Sequence, residues 1–130
     1  VWSVALIGIG NLGRALLRYK GFNRQGFRIV AAFDADPNLV GQTVEGVDVY
    51  PMHTLTDTVR QQNIRLAAIA VPAEASQQVA DMLIDSGVEG ILNFAPVMLS
   101  LPDTIQAVGV DLAMELEQLA FTVVNNRKND

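Results

Sequence analysis

Gly8, Gly10 and Gly13 stand in the run Val4-Ala5-Leu6-Ile7-Gly8-Ile9-Gly10-Asn11-Leu12-Gly13-Arg14-Ala15-Leu16-Leu17, where an apolar strand-like stretch passes at once into a helix-like one. In that context G-x-G-x-x-G reads as a dinucleotide-binding turn. The first glycine lets the chain turn tightly out of the strand, and the second keeps any side chain away from an approaching pyrophosphate. The third lets the new helix pack close to the sheet. A helix opening near Asn11 and Leu12 adds free N–H groups and partial positive charge, both suited to phosphates. A glycine-rich turn that binds nothing is the plainer alternative.

An acid at the end of the second strand, about 20 residues beyond the glycines, holds the adenine ribose hydroxyls in this arrangement. Asp34 occupies that place. Its charge repels a 2′-phosphate, no arginine follows closely, and Asp36 adds negative charge. The pattern therefore favours NAD(H) over the phosphorylated dinucleotide. Asp34 could instead cap its own turn within Asp34-Ala35-Asp36-Pro37-Asn38.

Ligands of such sheets bind at the carboxyl ends of the strands. Val71-Pro72-Ala73 and Asn93-Phe94-Ala95-Pro96 leave two further strands, and both are small or apolar enough to lie against flat rings. Asn93, or a backbone carbonyl, could meet a carboxamide. Ordinary loop-exit residues would look the same. Arg14 could reach a phosphate, with surface pairing as the simpler role. Tyr19 closes the first helix and could equally be a core tyrosine.

Chemistry beyond binding is missing. Hydride transfer usually needs an acid, a base or a metal beside the nicotinamide. The one histidine, His53, falls on the adenine half, and no nucleophile triad or metal-spaced cluster is present. No catalytic residue and no metal ligand is therefore expected, and the chain reads as a binding domain rather than an enzyme.

The elements that must position these residues alternate between strand and helix, as in a doubly wound parallel sheet of Rossmann type. Strands are expected over 3–8, 27–33, 48–50, 66–71, 90–93 and 107–109. Helices are expected over 12–19, 54–62 with Thr54 as N-cap, 73–86 closed by Gly87, and 112–124. Residues 21–26 punctuate. Half of the 130 residues are hydrophobic, enough for one domain with a real core. The chain has no cysteine, which excludes disulfides, and no apolar run long enough to span a bilayer. With 9 basic and 14 acidic residues the net charge is −5, unfavourable for direct nucleic-acid binding. The chain starts in mid-strand without methionine, as a fragment with its upstream part missing would.

The last helix carries an unusually wide apolar face. Leu112, Leu116, Leu119 and Val123 form one stripe, Ala113, Ala120 and Val124 widen it, and Met114 and Phe121 lie further round. Its few polar positions are Glu115, Glu117, Gln118 and Thr122. A surface helix needs a stripe little more than 100° wide, so burial against a second subunit is expected. Complete coverage by its own sheet is the alternative.

Four stretches together resemble the Rex-type redox-sensing transcriptional repressors. They are the glycine run 8–17, Ala32-Phe33-Asp34-Ala35-Asp36-Pro37, Ile69-Ala70-Val71-Pro72-Ala73-Glu74-Ala75 and Gly90-Ile91-Leu92-Asn93-Phe94-Ala95-Pro96-Val97. The match runs from Val4 to Phe121, and its most specific part is 93–96 followed by Val110-Asp111-Leu112. The resemblance implies a cytoplasmic homodimer whose NAD(H) domains sense the NADH/NAD⁺ ratio, NADH releasing the full-length protein from operator DNA. It implies a winged-helix DNA-binding domain upstream, absent from this chain, so operator contact would come only through that missing part. It also implies a swapped terminal helix, with Tyr19 and Asp111 near the nicotinamide side. The layout is then a Rossmann NAD(H) domain over 1–110, a dimerisation helix over 111–124 and a tail over 125–130. A cofactor-binding fragment of an NAD-dependent dehydrogenase and a CoA-binding Rossmann module are the alternatives. Asp34 stands against CoA, whose adenosine ribose carries a 3′-phosphate.

Overall fold

Apolar runs bounded by turn residues become the strands, and the amphipathic stretches between them become the helices. The computed structural model describes residues 1–129, with side chains at all of these except 112–115 and 127–129. The elements are β1 (Trp2–Ile7), α1 (Asn11–Arg18), α2 (Gly21–Arg24), β2 (Phe27–Asp34), β3 (Thr43–Val44), β4 (Val47–Pro51), a 3-10 turn (Met52–Thr54) and α3 (Leu55–Gln61). They continue with β5 (Leu66–Ile69), α4 (Ala73–Ser86), β6 (Gly90–Asn93), β7 (Gln106–Gly109) and α5 (Leu112–Asn129). Among the described residues the strands form one seven-stranded sheet in the order β3-β4-β2-β1-β5-β6-β7. All neighbours pair in parallel except β3 and β4. The Rossmann-type expectation holds, with an added antiparallel edge.

The register decides where the functional residues come out. Tyr50, Phe33, Ile7, Ile69, Asn93 and Gly109 stand in one row across six strands. The residues leaving that row extend the ladder by one step. Gly8 N–H donates to Phe33 O (2.8 Å), Ala70 N–H to Ile7 O (2.8 Å), Phe94 N–H to Ile69 O (2.9 Å) and Val110 N–H to Asn93 O (2.8 Å). The chain segments after β1, β5, β6 and β7 therefore leave one carboxyl edge side by side.

The two faces of the sheet are covered differently. Ala5, Ile7, Ala31, Phe33, Ala67, Ile69 and Ile91 pack with Leu55 and Val59 of α3 and with Val79, Ala80 and Leu83 of α4. The opposite face receives α1, whose Leu17 packs with Ile9, Ala32 and Val49. Toward β5, β6 and β7 that second face stays open as a groove of about 650 Å³, lined by Val4, Leu66, Ala68, Leu92 and Val108, with Leu16 of α1 along one wall. No helix joins β6 to β7, and α5 does not turn back over the groove. Leu116, Leu119, Phe121, Val123 and Val124 of α5 are each more than half exposed. Over 116–124 its own sheet does not cover this helix in the single chain. Of the stripe read in the sequence, the side chains of Leu112, Ala113, Met114 and Glu115 lie outside the described residues.

Several local expectations change. Thr54 does sit at the start of α3, but its hydroxyl donates back to Pro51 O (2.8 Å) because a 3-10 turn precedes the helix. Residues 21–24 form one helical turn, and β5 ends at Ile69 because Ala70 and Val71 already serve the crossing to α4. Glu45 and Gly46, both at positive φ (50° and 80°), close the unforeseen β3–β4 hairpin, the geometry of a two-residue type I′ turn. The tail expected from residue 125 is instead the last part of α5, since Asn125-Asn126-Arg127-Lys128-Asn129 contains neither glycine nor proline to stop it. At the opposite edge of the sheet Arg65 lies over the Trp2 ring (4.6 Å to its centroid) and pairs with Glu89. The Arg65 hydrogen bond holds the exposed Glu89 carboxyl below its ordinary range.

The packing of α4 orders two substitutions. Leu83→Ala empties a fully buried position and should cost about 2–5 kcal/mol. Gly87→Ala keeps open space but places a side chain at φ 86°, at about 1–2 kcal/mol. Denaturant midpoints should therefore fall further for Leu83→Ala than for Gly87→Ala.

Candidate functional site

The carboxyl edge brings together most of the residues singled out by sequence. Gly8 leaves β1 at φ 101°, and a Cβ on it would lie 2.5 Å from Ala70 O. A Cβ on Gly13 would lie 2.1 Å from Gly8 O. These two glycines are demanded by the protein's own packing. Gly10 is different. Its φ is −84°, allowed to any residue, and a Cβ there would meet nothing within 4 Å. The bare backbone at Gly10 faces open space.

Gly10 is also the N-cap of α1, without a side-chain cap and without an acid in the first turn. The N–H groups that begin a helix lack intrahelical partners, so Asn11, Leu12 and Gly13 offer donors to an anion at this point. Arg14 N–H closes the first helical bond to Gly10 O (3.0 Å). Among the described residues, the Arg14 side chain forms no ion pair.

Asp34, half-buried at the end of β2, turns its carboxylate toward the glycine loop. Oδ2 accepts Ile9 N–H at 2.8 Å, and Oδ1 accepts Asp36 N–H at 2.9 Å. Asp36 repeats the pattern with Asn38 N–H (2.9 Å), so the D-x-D-x-N spacing builds successive Asx turns. Both sequence readings of Asp34 are thus compatible: it caps its own turn and reaches the loop. An ionised carboxylate has about four lone-pair positions, which leaves acceptor capacity for hydroxyl donors such as a ribose diol.

On the other side of Gly8, Val71 is half-buried with its side chain against the loop, Pro72 is exposed and Ala73 opens α4. Asn93 Nδ2 donates to Val97 O (2.9 Å) and its Oδ1 accepts Ala95 N–H (3.0 Å). A buried amide satisfies its polar atoms internally, and Asn93 thereby braces the 93–97 turn. Its backbone carbonyl accepts Val110 N–H. Within that turn Ala95 is buried and Pro96 exposed, while Phe94 lines the apolar groove. Asp111 follows β7 at the same edge.

Tyr19 is not brought to this edge. It ends α1 roughly 12 Å along the helix from the glycine turn, at 1.5 Å per residue. Its ring lies over Gly21 and edge-on to Phe22, 4.8 Å between centroids, and is 59% exposed. It is therefore no core tyrosine, and it stands on the wall of the groove. His53 is exposed on the 3-10 turn.

Two contributors were not foreseen. Ile9, 2% exposed, supplies the N–H that fixes Asp34; the glycine pattern treats that position as variable. Gln77 on α4 exchanges two hydrogen bonds with the Ser100 backbone (2.8 and 3.0 Å) and so holds the segment beyond Asn93. At 23 residues' separation no local pattern signals it. Among the described residues, no group of three or more His, Cys, Asp or Glu could hold a metal ion, and no helix is long and apolar enough to cross a membrane.

Comparison with known proteins places this geometry. The family model described as CoA binding domain matches residues 1–97. The redox-sensing transcriptional repressor Rex of Desulfitobacterium hafniense is 47% identical over 126 residues, 97% of this chain and 60% of that protein. The crystal structure of RSP, a Rex-family repressor, in complex with β-NADH superposes at a TM-score of 0.91 with 29% identity, over 97% of this chain and 61% of that one. RSP with β-NAD⁺ and operator DNA superposes at 0.89, also with 29% identity, over 97% and 58%. A UDP-D-quinovosamine 4-dehydrogenase from Vibrio fischeri is more distant, at 0.59 and 26% identity over 72% of this chain and 77% of that one. The Rex-type resemblance read from the four sequence stretches is borne out. This chain spans about 60% of the length of the first of these relatives.

The glycines separate packing from binding. Gly13→Ala should lower the melting temperature of the ligand-free chain, because backbone at Gly8 blocks the new methyl, at about 1–3 kcal/mol. Gly10→Ala should cost no more than about 1 kcal/mol, the loss of a glycine N-cap. Thermal melts of the two variants check this.

Proposed function

The chain belongs to the CoA-binding domain family, and on that premise we propose that it is the NAD(H)-binding and dimerisation part of a Rex-type repressor. One observation carries the cofactor reading: Gly10 has no packing reason to be glycine, and it follows Ile9, whose N–H Asp34 accepts, at the start of a helix without a side-chain cap. That is the arrangement a pyrophosphate and an unphosphorylated ribose would fill. Gly8 and Gly13 shape the turn, and Gly10 with the N–H groups of Asn11, Leu12 and Gly13 would receive the phosphates. Asp34 would accept from the ribose. Val71, Pro72 and Ala73 with Phe94, Ala95 and Pro96 would bound the nicotinamide half; Asn93 acts there by bracing its turn. A CoA adenosine fits less well, because its 3′-phosphate would approach Asp34.

When bound, the nicotinamide supplies a difference in charge: the oxidised ring is positive and the reduced ring neutral. An apolar surround that excludes water penalises the charged ring, so this edge would favour NADH. Binding alone is the proposed activity. Similarity to redox-sensing transcriptional repressors along nearly the whole chain favours a sensor over a dehydrogenase fragment.

The dimer reading rests on two apolar surfaces that the single chain leaves uncovered, namely α5 and the groove over β5–β7. Residues 1–110 would form the cofactor domain, and α5 would cross to the groove of a second copy. Tyr19 stands on the groove wall and Asp111 at the root of α5, so the crossing would bring both toward the partner's cofactor. NADH binding would then shift the subunits and release operator DNA, contacted through an upstream DNA-binding domain in the cytoplasm.

Two variants test the reading. Gly10→Val should weaken NADH binding by roughly 100-fold, from about 2–3 kcal/mol of overpacking, while the ligand-free chain loses only the glycine N-cap, about 1 kcal/mol. Undiminished binding would remove the pyrophosphate from this turn. Leu119→Asp should halve the mass in solution; an unchanged dimer would exclude α5 from the interface.

A further inference from the structure

Asp34 makes two hydrogen bonds that a ribose contact does not require. Phe33 O and the Asp34 carboxylate, consecutive on β2, take the N–H groups of Gly8 (2.8 Å) and Ile9 (2.8 Å), consecutive in the glycine turn. The next residue, Gly10, is the one left open to solvent. Ile9 is 2% exposed, and no strand or helix supplies its N–H with a carbonyl. A donor in that position needs an acceptor from the protein, and Asp34 is the one it has. The second carboxylate oxygen is tied by Asp36 N–H (2.9 Å), so the carboxylate plane is fixed from both sides.

We propose that Asp34 is the latch of the glycine loop, a positioning residue for the phosphate-binding half of the ligand as well as an acceptor for the ribose. The inference rests on the NAD(H) reading and deepens it. Ribose recognition and phosphate recognition then share one group. The loop is set before any ligand arrives, so its N–H groups need no reordering on binding. Cofactor preference also becomes hard to exchange at this position. Alanine or a basic residue, which has no acceptor, would remove the repulsion of a 2′-phosphate, yet it would also release Ile9 and loosen the turn that both dinucleotides need. Substitution at Asp34 should therefore lose NADH without gaining NADPH.

The test compares the parent chain with Asp34→Ala and Asp34→Asn, the second keeping one acceptor should the first fold poorly. Amide hydrogen exchange at Ile9 is followed without ligand. Binding is measured for NADH, NADPH and reduced nicotinamide mononucleotide, which carries a phosphate but no adenosine ribose. The latch predicts exchange at Ile9 about ten-fold faster or more in Asp34→Ala, the order expected for a buried donor left unpaired. It also predicts roughly ten-fold weaker mononucleotide binding and no gain of NADPH. Unchanged Ile9 exchange, or mononucleotide affinity equal to the parent's while NADH is lost, would overturn it and leave Asp34 a ribose contact alone. Failure of the parent chain to bind NADH would instead overturn the NAD(H) reading, and Ile9 exchange would still decide the latch.

Discussion

One row of backbone hydrogen bonds governs this molecule: the carbonyls of Phe33, Ile7, Ile69 and Asn93, each taking the N–H of the residue that leaves the neighbouring strand. Parallel pairing in register puts the ends of β2, β1, β5, β6 and β7 in one line. The chain must then leave that line in a turn after every strand. Five turns at one edge make a border of backbone and of small or apolar side chains. The tightest is the one after β1, where Gly8 is held against Ala70 and the start of α1 comes down on Gly8 through Gly13. A register slip of one residue in β1 would turn Ala5 and Ile7 out of the core and separate Asp34 from Ile9. Fold and site therefore rest on the same hydrogen bonds.

The second constraint is an unequal covering of the sheet. α3 and α4 complete one face, whereas α1 and the single turn α2 serve the other and leave the ground over β5–β7 bare. A doubly wound sheet closes that ground with a further helix. Here the next helix in the chain is α5, and it stands away with its apolar side chains exposed. On the proposed reading the missing cover comes from a second subunit, which makes the dimer interface continuous with the wall of the cofactor site. A ligand moves a two-state equilibrium only by its differential affinity. A shared wall gives the cofactor a direct purchase on the subunit arrangement.

Much of this was legible in the residues themselves. The glycine spacing after an apolar strand, Asp34 at the end of β2, the amphipathic run 73–86 with Gly87, and the short strand 90–93 all emerge as their local chemistry indicates. What escaped was of two kinds. The β3–β4 hairpin turns on Glu45 at positive φ, and Glu-Gly is not among the Asn-Gly, Asp-Gly or Gly-Gly pairs that mark a two-residue turn. The bracing by Asn93 and Gln77 depends on partners set by tertiary folding, Val97 O and Ala95 N–H for the first and the Ser100 backbone for the second. Ile9 was hidden for the opposite reason, since only its backbone acts. The helix through 125–129 lacked a stop signal, and in its absence the pattern of α5 simply continued.

The central claim is that this edge reads the redox state of a nicotinamide. Calorimetric titration of the chain with NADH and then with NAD⁺, with its mass in solution measured alongside, tests it most directly. The account predicts a dimer that binds NADH far more tightly than NAD⁺; a complete switch from 1:99 to 99:1 needs about 10⁴-fold. Equal affinities for the two forms, or binding of neither, would contradict it.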